Sequence, residues 1–138
     1  MPSQIYVNLP IKDLQRSVEF FTRLGFSFNP KFTNENATCM IVANDIFVML
    51  LVEEFFRSFT DKTLCDTGKS TEVMLALSCA SRAEVDELVR KALAAGGATP
   101  RPPQDLGFMY SQAFEDPDGH IWEPFYMEPD AEPAAAKP

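Results

Sequence analysis

The sequence predicts an α+β fold made of two βαβββ modules, and three observations carry that prediction. Apolar and polar residues alternate over several short segments, the pattern of half-buried strands. Two other segments show helical spacing with recognisable caps, each just after the first strand of its half. The order strand, helix, three strands then occurs twice, in residues 3–52 and again in residues 71–128. This is an internal repeat of pattern, with slight identity of letters. Residues 53–70 read as the connection and residues 1–128 as one domain. Residues 129–138, rich in Pro, Ala and charge, read as a disordered tail.

In the first module, Gln4 to Pro10 alternates, with Ile5, Val7 and Leu9 on one face and Tyr6, Asn8 and Pro10 on the other. Asp13 is placed as an N-cap, and Leu14, Val18, Phe21 and Leu24 follow at helical spacing until Gly25 stops the helix. Phe26 to Thr33 alternates as a second strand, and Asn34 to Asn36 make a turn. Thr38 to Ala43 and Ile46 to Val52 form a hairpin joined at Asn44-Asp45. The connection from Glu53 to Lys69 carries Phe55, Phe56 and Phe59 and room for one helical turn. Its aromatics are suited to covering an opening or packing on a partner subunit.

In the second module, Glu72 to Cys79 reads as a strand. Ser81-Arg82-Ala83-Glu84 has capping-box spacing, and Val85, Leu88, Val89, Ala92 and Leu93 mark one helical face that ends at Gly96-Gly97. Ala98 to Pro100 reads as a short strand and Pro102-Pro103 as a loop. Leu106 to Glu115 and His120 to Met127 form the final hairpin around Asp116-Pro117-Asp118-Gly119, which is turn chemistry at every position. After that turn Ile121, Glu123 and Phe125 share one strand face, and Trp122, Pro124 and Tyr126 the other. Glu123 is thus a carboxylate on an otherwise apolar face, where it needs a metal, a donor, a proton or water.

Composition narrows the function classes. Twelve basic against 20 acidic residues give a formal net charge of −8, which argues against nucleic acid or an anionic membrane as the partner. No apolar run approaches the roughly 20 residues a membrane span needs, and the first residues lack the pattern of a signal peptide. Cys39, Cys65 and Cys79 are odd in number and lack CxxC spacing. They read as free thiols in a reducing compartment, and the expected location is the cytoplasm. There is no Walker A, no G-x-G-x-x-G and no H-E-x-x-H.

Two stretches carry a resemblance: Tyr6 to Phe26, YVNLPIKDLQRSVEFFTRLGF, and Phe114 to Tyr126, with its D-P-D-G-x-x-x-E ending. Together they resemble the vicinal oxygen chelate superfamily, the group of glyoxalases, bleomycin resistance proteins and extradiol dioxygenases. The resemblance implies two modules whose curved mixed sheets enclose a cavity, and a homodimer. In metal-bearing relatives the cavity holds a divalent ion with ligands from four strands, mostly His and Glu. Carried over, those positions fall on Tyr6, near Met49, at or beside Met74, and on Glu123. Only Glu123 suits a metal, so the expectation is no metal ion and no cofactor. The sole histidine, His120, follows the turn on the face opposite Glu123 and reads as a surface or turn residue.

The candidate site is therefore Glu123 as a working carboxylate, with Tyr6, Asn8, Met49, Met74, Tyr110 and Gln112 as ligand-binding residues. Two readings of Glu123 stand open. It is a vestigial ligand satisfied by Tyr6, Asn8 or a backbone donor, or it binds a ligand or acts as a base. Trp122 is expected to pack under a helix, and Ser17 is read as structural. The function expected is metal-independent binding of a small cationic or aromatic molecule. The alternative is a glyoxalase-type lyase or isomerase, akin to lactoylglutathione lyase, or a dioxygenase, with an atypical metal site or Glu123 as base.

Overall fold

The computed structural model describes residues 1–130, so residues 131–138 of the expected tail lie outside the described residues. The chain divides into two compact units, the second beginning at Thr71. The fold is α+β.

The first unit contains strands β1 (Ile5–Ile11), β2 (Ser27–Asn29), β3 (Ala37–Ala43) and β4 (Ile46–Val52), with helices α1 (Leu14–Arg23) and α2 (Glu53–Arg57). The sheet order is β1-β4-β3-β2, with β1 parallel to β4 and the other pairs antiparallel. Asp13 caps α1 by accepting from the Arg16 N–H at 3.1 Å. At the other end, Gly25 takes φ +104°, donating to the Thr22 carbonyl, while Phe26 N–H reaches the Phe21 carbonyl. A Cβ is disfavoured at that φ, so glycine fits. The rings of Phe21 and Phe26 meet edge to face across this cap at 6.0 Å. Buried Phe20 and Phe21 of α1, Leu9 and Ile11 of β1, Met40 of β3, and Val48 and Leu50 of β4 make the core of this unit.

The second strand is shorter than expected. Pro30 opens a 3-10 turn over Pro30–Phe32, capped by Asn29, and the pairing ends there. A proline has no N–H for a ladder. Asn34 Oδ1 then accepts from the Asn36 and Ala37 N–H groups to form the turn.

The second unit contains β5 (Met74–Ser78), α3 (Arg82–Ala94), β6 (Gln104–Asp105), β7 (Met109–Ser111), β8 (Phe114–Glu115) and β9 (Ile121–Met127). Its sheet runs β5-β9-β7-β6, with β8 also on β9 and β5 parallel to β9. The pairing of first strand with last therefore repeats that of the first unit. Ser81 caps α3 through the Glu84 N–H, and Glu84 returns a bond to the Ala80 N–H. Val85, Val89 and Ala92 are buried, as are Trp122 and Pro124 of β9 and Phe114 of β8. Trp122 and Phe114 lie parallel with centroids 6.3 Å apart.

Three details differ from the sequence reading. Leu93 is 46% exposed, because it falls beside the buried stripe of α3 rather than on it. Ala98 makes only an isolated bridge to Glu115, and the second strand of this unit forms instead at Gln104–Asp105. It pairs with β7 through a turn in which Gly107 has φ +83°.

Candidate functional site

The Asp116 turn sets where the last strand starts. Asp116 is buried, and its Oδ1 accepts from the N–H groups of Asp118 (2.9 Å) and His120 (3.1 Å). Its Oδ2 accepts from the indole Nε1 of Trp122 at 3.0 Å. Of the surface or turn positions expected for His120, the structure shows the turn: its backbone closes the Asp116 turn and draws the residue inward, leaving it 6% exposed rather than on the surface.

Strand β9 then presents Ile121, Glu123, Phe125 and Met127 on one face. Register places Met74 opposite Ile121 and Ala76 opposite Glu123 on β5, and Met109 and Ser111 opposite Met127 and Phe125 on β7. All of these share the Glu123 face. Trp122, Pro124 and Tyr126 turn to the other face, where α3 packs on β9.

Glu123 has a partner that the sequence reading did not name. Arg101 Nη2 donates to Glu123 Oε2 at 3.3 Å and to Ser111 Oγ at 3.1 Å, while its Nη1 donates to the Pro102 carbonyl at 3.0 Å. The side chains of Arg101 and Glu123 keep 30% and 25% exposure. One signal in the sequence points to Arg101: it is the lone Lys or Arg between positions 92 and 130, set among Pro100, Pro102 and Pro103.

Tyr110 and Gln112 do not join Glu123. Tyr110 lies opposite Tyr126, so it stands on the α3 face. Its hydroxyl donates to Asp86 of α3, as does the Gln112 amide at 2.6 Å. The Arg82 guanidinium lies 5.3 Å from the Tyr110 ring centre and also pairs with Asp105 and Glu128. Burial and the Asp86 contact raise the Tyr110 phenol, the Asp86 hydrogen bond being the larger cause. These residues fasten α3 to β7.

In the first unit, Tyr6, Asn8 and Met49 do share a face. Asn8 lies directly opposite Met49, and the Tyr6 ring stacks on Phe47 at 4.7 Å. The face is the one turned away from Leu9, Ile11 and the α1 core. Tyr6 Oη donates to Gln4 Oε1 at 3.2 Å, and Asn8 Nδ2 donates to the Tyr6 carbonyl at 3.4 Å.

The donor set does not fit a divalent metal ion. A phenol and two thioethers stand at three of the positions that the resemblance assigns to ligands, and Glu123 is already paired with a guanidinium. Among the described residues, no three His, Cys, Asp or Glu side chains lie together in a way that could hold a metal. No described helix is long and apolar enough to cross a membrane.

Residues 5–43 match the family described as bleomycin resistance protein-like N-terminal. No functionally curated protein matches the chain. Among solved structures, a hypothetical protein SA1046 from S. aureus is similar at 28% identity and TM-score 0.78, over 91% of this chain and 94% of that one. A glyoxalase-related enzyme from Fulvimarina pelagi is similar at 24% identity and TM-score 0.76, over 91% and 88%. A glyoxalase/bleomycin resistance protein/dioxygenase family enzyme from Burkholderia phytofirmans PsJN shares the fold at 17% identity and TM-score 0.74, over 88% and 96%.

Proposed function

We propose that this chain, a member of the vicinal oxygen chelate superfamily by its fold and by the family match at residues 5–43, binds a small molecule without a metal ion. The observation that carries the reading is Glu123 on a mainly apolar strand face, paired with Arg101 rather than sealed under a helix. Arg101 supplies the positive charge that the sequence reading left to a cationic ligand. The reading therefore favours a molecule with an aromatic or apolar body over a simple cation. Half-buried Ile121, Phe125 and Met127 and exposed Met74 offer that body apolar contact. Tyr6, Asn8 and Met49 offer a similar open face on the first sheet. Tyr110 and Gln112, held by Asp86, drop out of the proposed ligand set.

A homodimer belongs to the same proposal, with Phe59 (69% exposed) and Phe32 (54% exposed) as apolar surface for it. Light scattering on the purified chain reads its mass directly. The ligand reading is tested by a thermal-shift screen of small aromatic and amphipathic molecules. A ligand that binds only the native state raises its apparent stability. Hits that fail with both Glu123→Gln and Arg101→Met support the site. Hits that survive both substitutions unchanged refute it.

A further inference from the structure

The Arg101–Glu123 pair limits the charge of what can bind beside it. Resting on the ligand-binding reading above, we infer that the site selects a net-neutral group with a donor next to an acceptor, such as a carboxamide or lactam edge. The pair is single rather than forked: one guanidinium nitrogen meets one carboxylate oxygen at 3.3 Å. That is longer than the 2.7–2.9 Å usual for a charge-assisted bond. Among the described residues, no protein donor reaches Glu123 Oε1, and no acceptor meets Arg101 Nε. One open acceptor and one open donor therefore sit on neighbouring side chains.

The two charges cancel, so the spot offers a lone cation or anion no net attraction. Both side chains are more than two-thirds withdrawn from water, and Glu123 shares its strand face with half-buried Ile121 and Phe125. A cation that took Glu123 from Arg101 would strand the guanidinium, and an anion that took Arg101 would strand the carboxylate. Stranding one partner of a desolvated pair is unfavourable. An amide edge avoids both outcomes. Its N–H meets Glu123 Oε1, its carbonyl meets the guanidinium, and the ion pair stays intact. Arg101 is braced for this by the Pro102 carbonyl and Ser111 Oγ, so it does not swing to follow a ligand.

The test is a titration of the full chain, followed by backbone and arginine side-chain NMR shifts. The probes are phenylpropanamide, phenylpropanoate and phenylpropylammonium, which share one apolar body and differ in charge. The wild-type chain should bind the amide about tenfold more tightly than either ion, with shifts at Arg101, Ser111 and Glu123. Glu123→Gln leaves a net positive site and should turn the preference to the anion. Arg101→Gln leaves a net negative one and should turn it to the cation. The wild-type order alone decides the inference if either variant fails to fold. An ion bound as tightly as the amide at these residues overturns the charge rule and leaves the ligand site standing. No binding of any probe, or shifts confined to other residues, overturns the site as well.

Discussion

Replacing Asp116 with alanine tests how the strand that carries Glu123 is held. The carboxylate accepts three hydrogen bonds, and two of the donors, His120 N–H and Trp122 Nε1–H, lie in buried surroundings. A stranded buried donor costs about 1–3 kcal/mol, offset in part by no longer burying a carboxylate, so Asp116→Ala should lose about 2 kcal/mol. Asp116→Asn keeps an oxygen for the two backbone donors and faces only the indole with the wrong group, so about 1 kcal/mol is expected. Urea unfolding at neutral pH reads both values from the midpoint and slope. Burial is the largest influence on the Asp116 carboxyl and raises it above its ordinary 3.8, against the lowering effects of His120 and the Trp122 indole. The folded chain therefore holds that proton more tightly than the unfolded chain. The associated stability is full below 3.8 and is lost as pH rises through the raised folded value. Asp116→Asn should lack that fall. Equal losses for Ala and Asn, or a loss under about 0.5 kcal/mol for Ala, would refute this account of the turn.

Other predictions concern parts that the ligand does not touch. Tyr110→Phe removes the bond to Asp86 on an exposed face, so stability should drop by less than about 1 kcal/mol in urea while any ligand detected in the thermal-shift screen still binds. Gly25→Ala meets no atom within 4 Å of the new Cβ, so its cost is the φ of +104° alone. About 1 kcal/mol is expected by chemical unfolding, and no loss would contradict the cap. Burial, with the Glu84 charge behind it, pushes the Cys79 thiol up to about 11. Mass mapping after brief iodoacetamide treatment at neutral pH should find exposed Cys65 modified, and Cys79 and buried Cys39 protected.

What could be read from the sequence was what is local. Asp13, Gly25, Ser81 and the Asp116 turn act within a few residues of themselves, and each sits in the structure as its chemistry requires. The parallel pairing of first strand with last in each unit is a long-range contact that no local pattern states. The partner of Glu123 was beyond local reading. Arg101 is 22 residues away, and the contact depends on the course of a proline-rich loop. Tyr110 and Gln112 were expected together among the ligand-binding residues, and they do lie together, on Asp86. Their side relative to Glu123 depends on the pairing of Tyr110 with Tyr126, a register that no alternation within β7 reveals. Of the two readings of His120, surface or turn, the turn one holds: its backbone closes the Asp116 turn, and because Asp116 is drawn inside to meet Trp122, His120 goes with it. The strand after Asn29 was overextended because the aromatic alternation across Pro30 outweighed the missing N–H.

The most direct test of a metal-free site is elemental analysis of the purified chain, after dialysis and again after loading with Zn²⁺, Ni²⁺, Mn²⁺ and Fe²⁺. With Arg101 against Glu123 and thioethers and a phenol at the other strand positions, metal should stay far below one ion per chain under every condition. One ion per chain in the wild type, lost in Glu123→Ala, would contradict the account and return Glu123 to the role of a metal ligand.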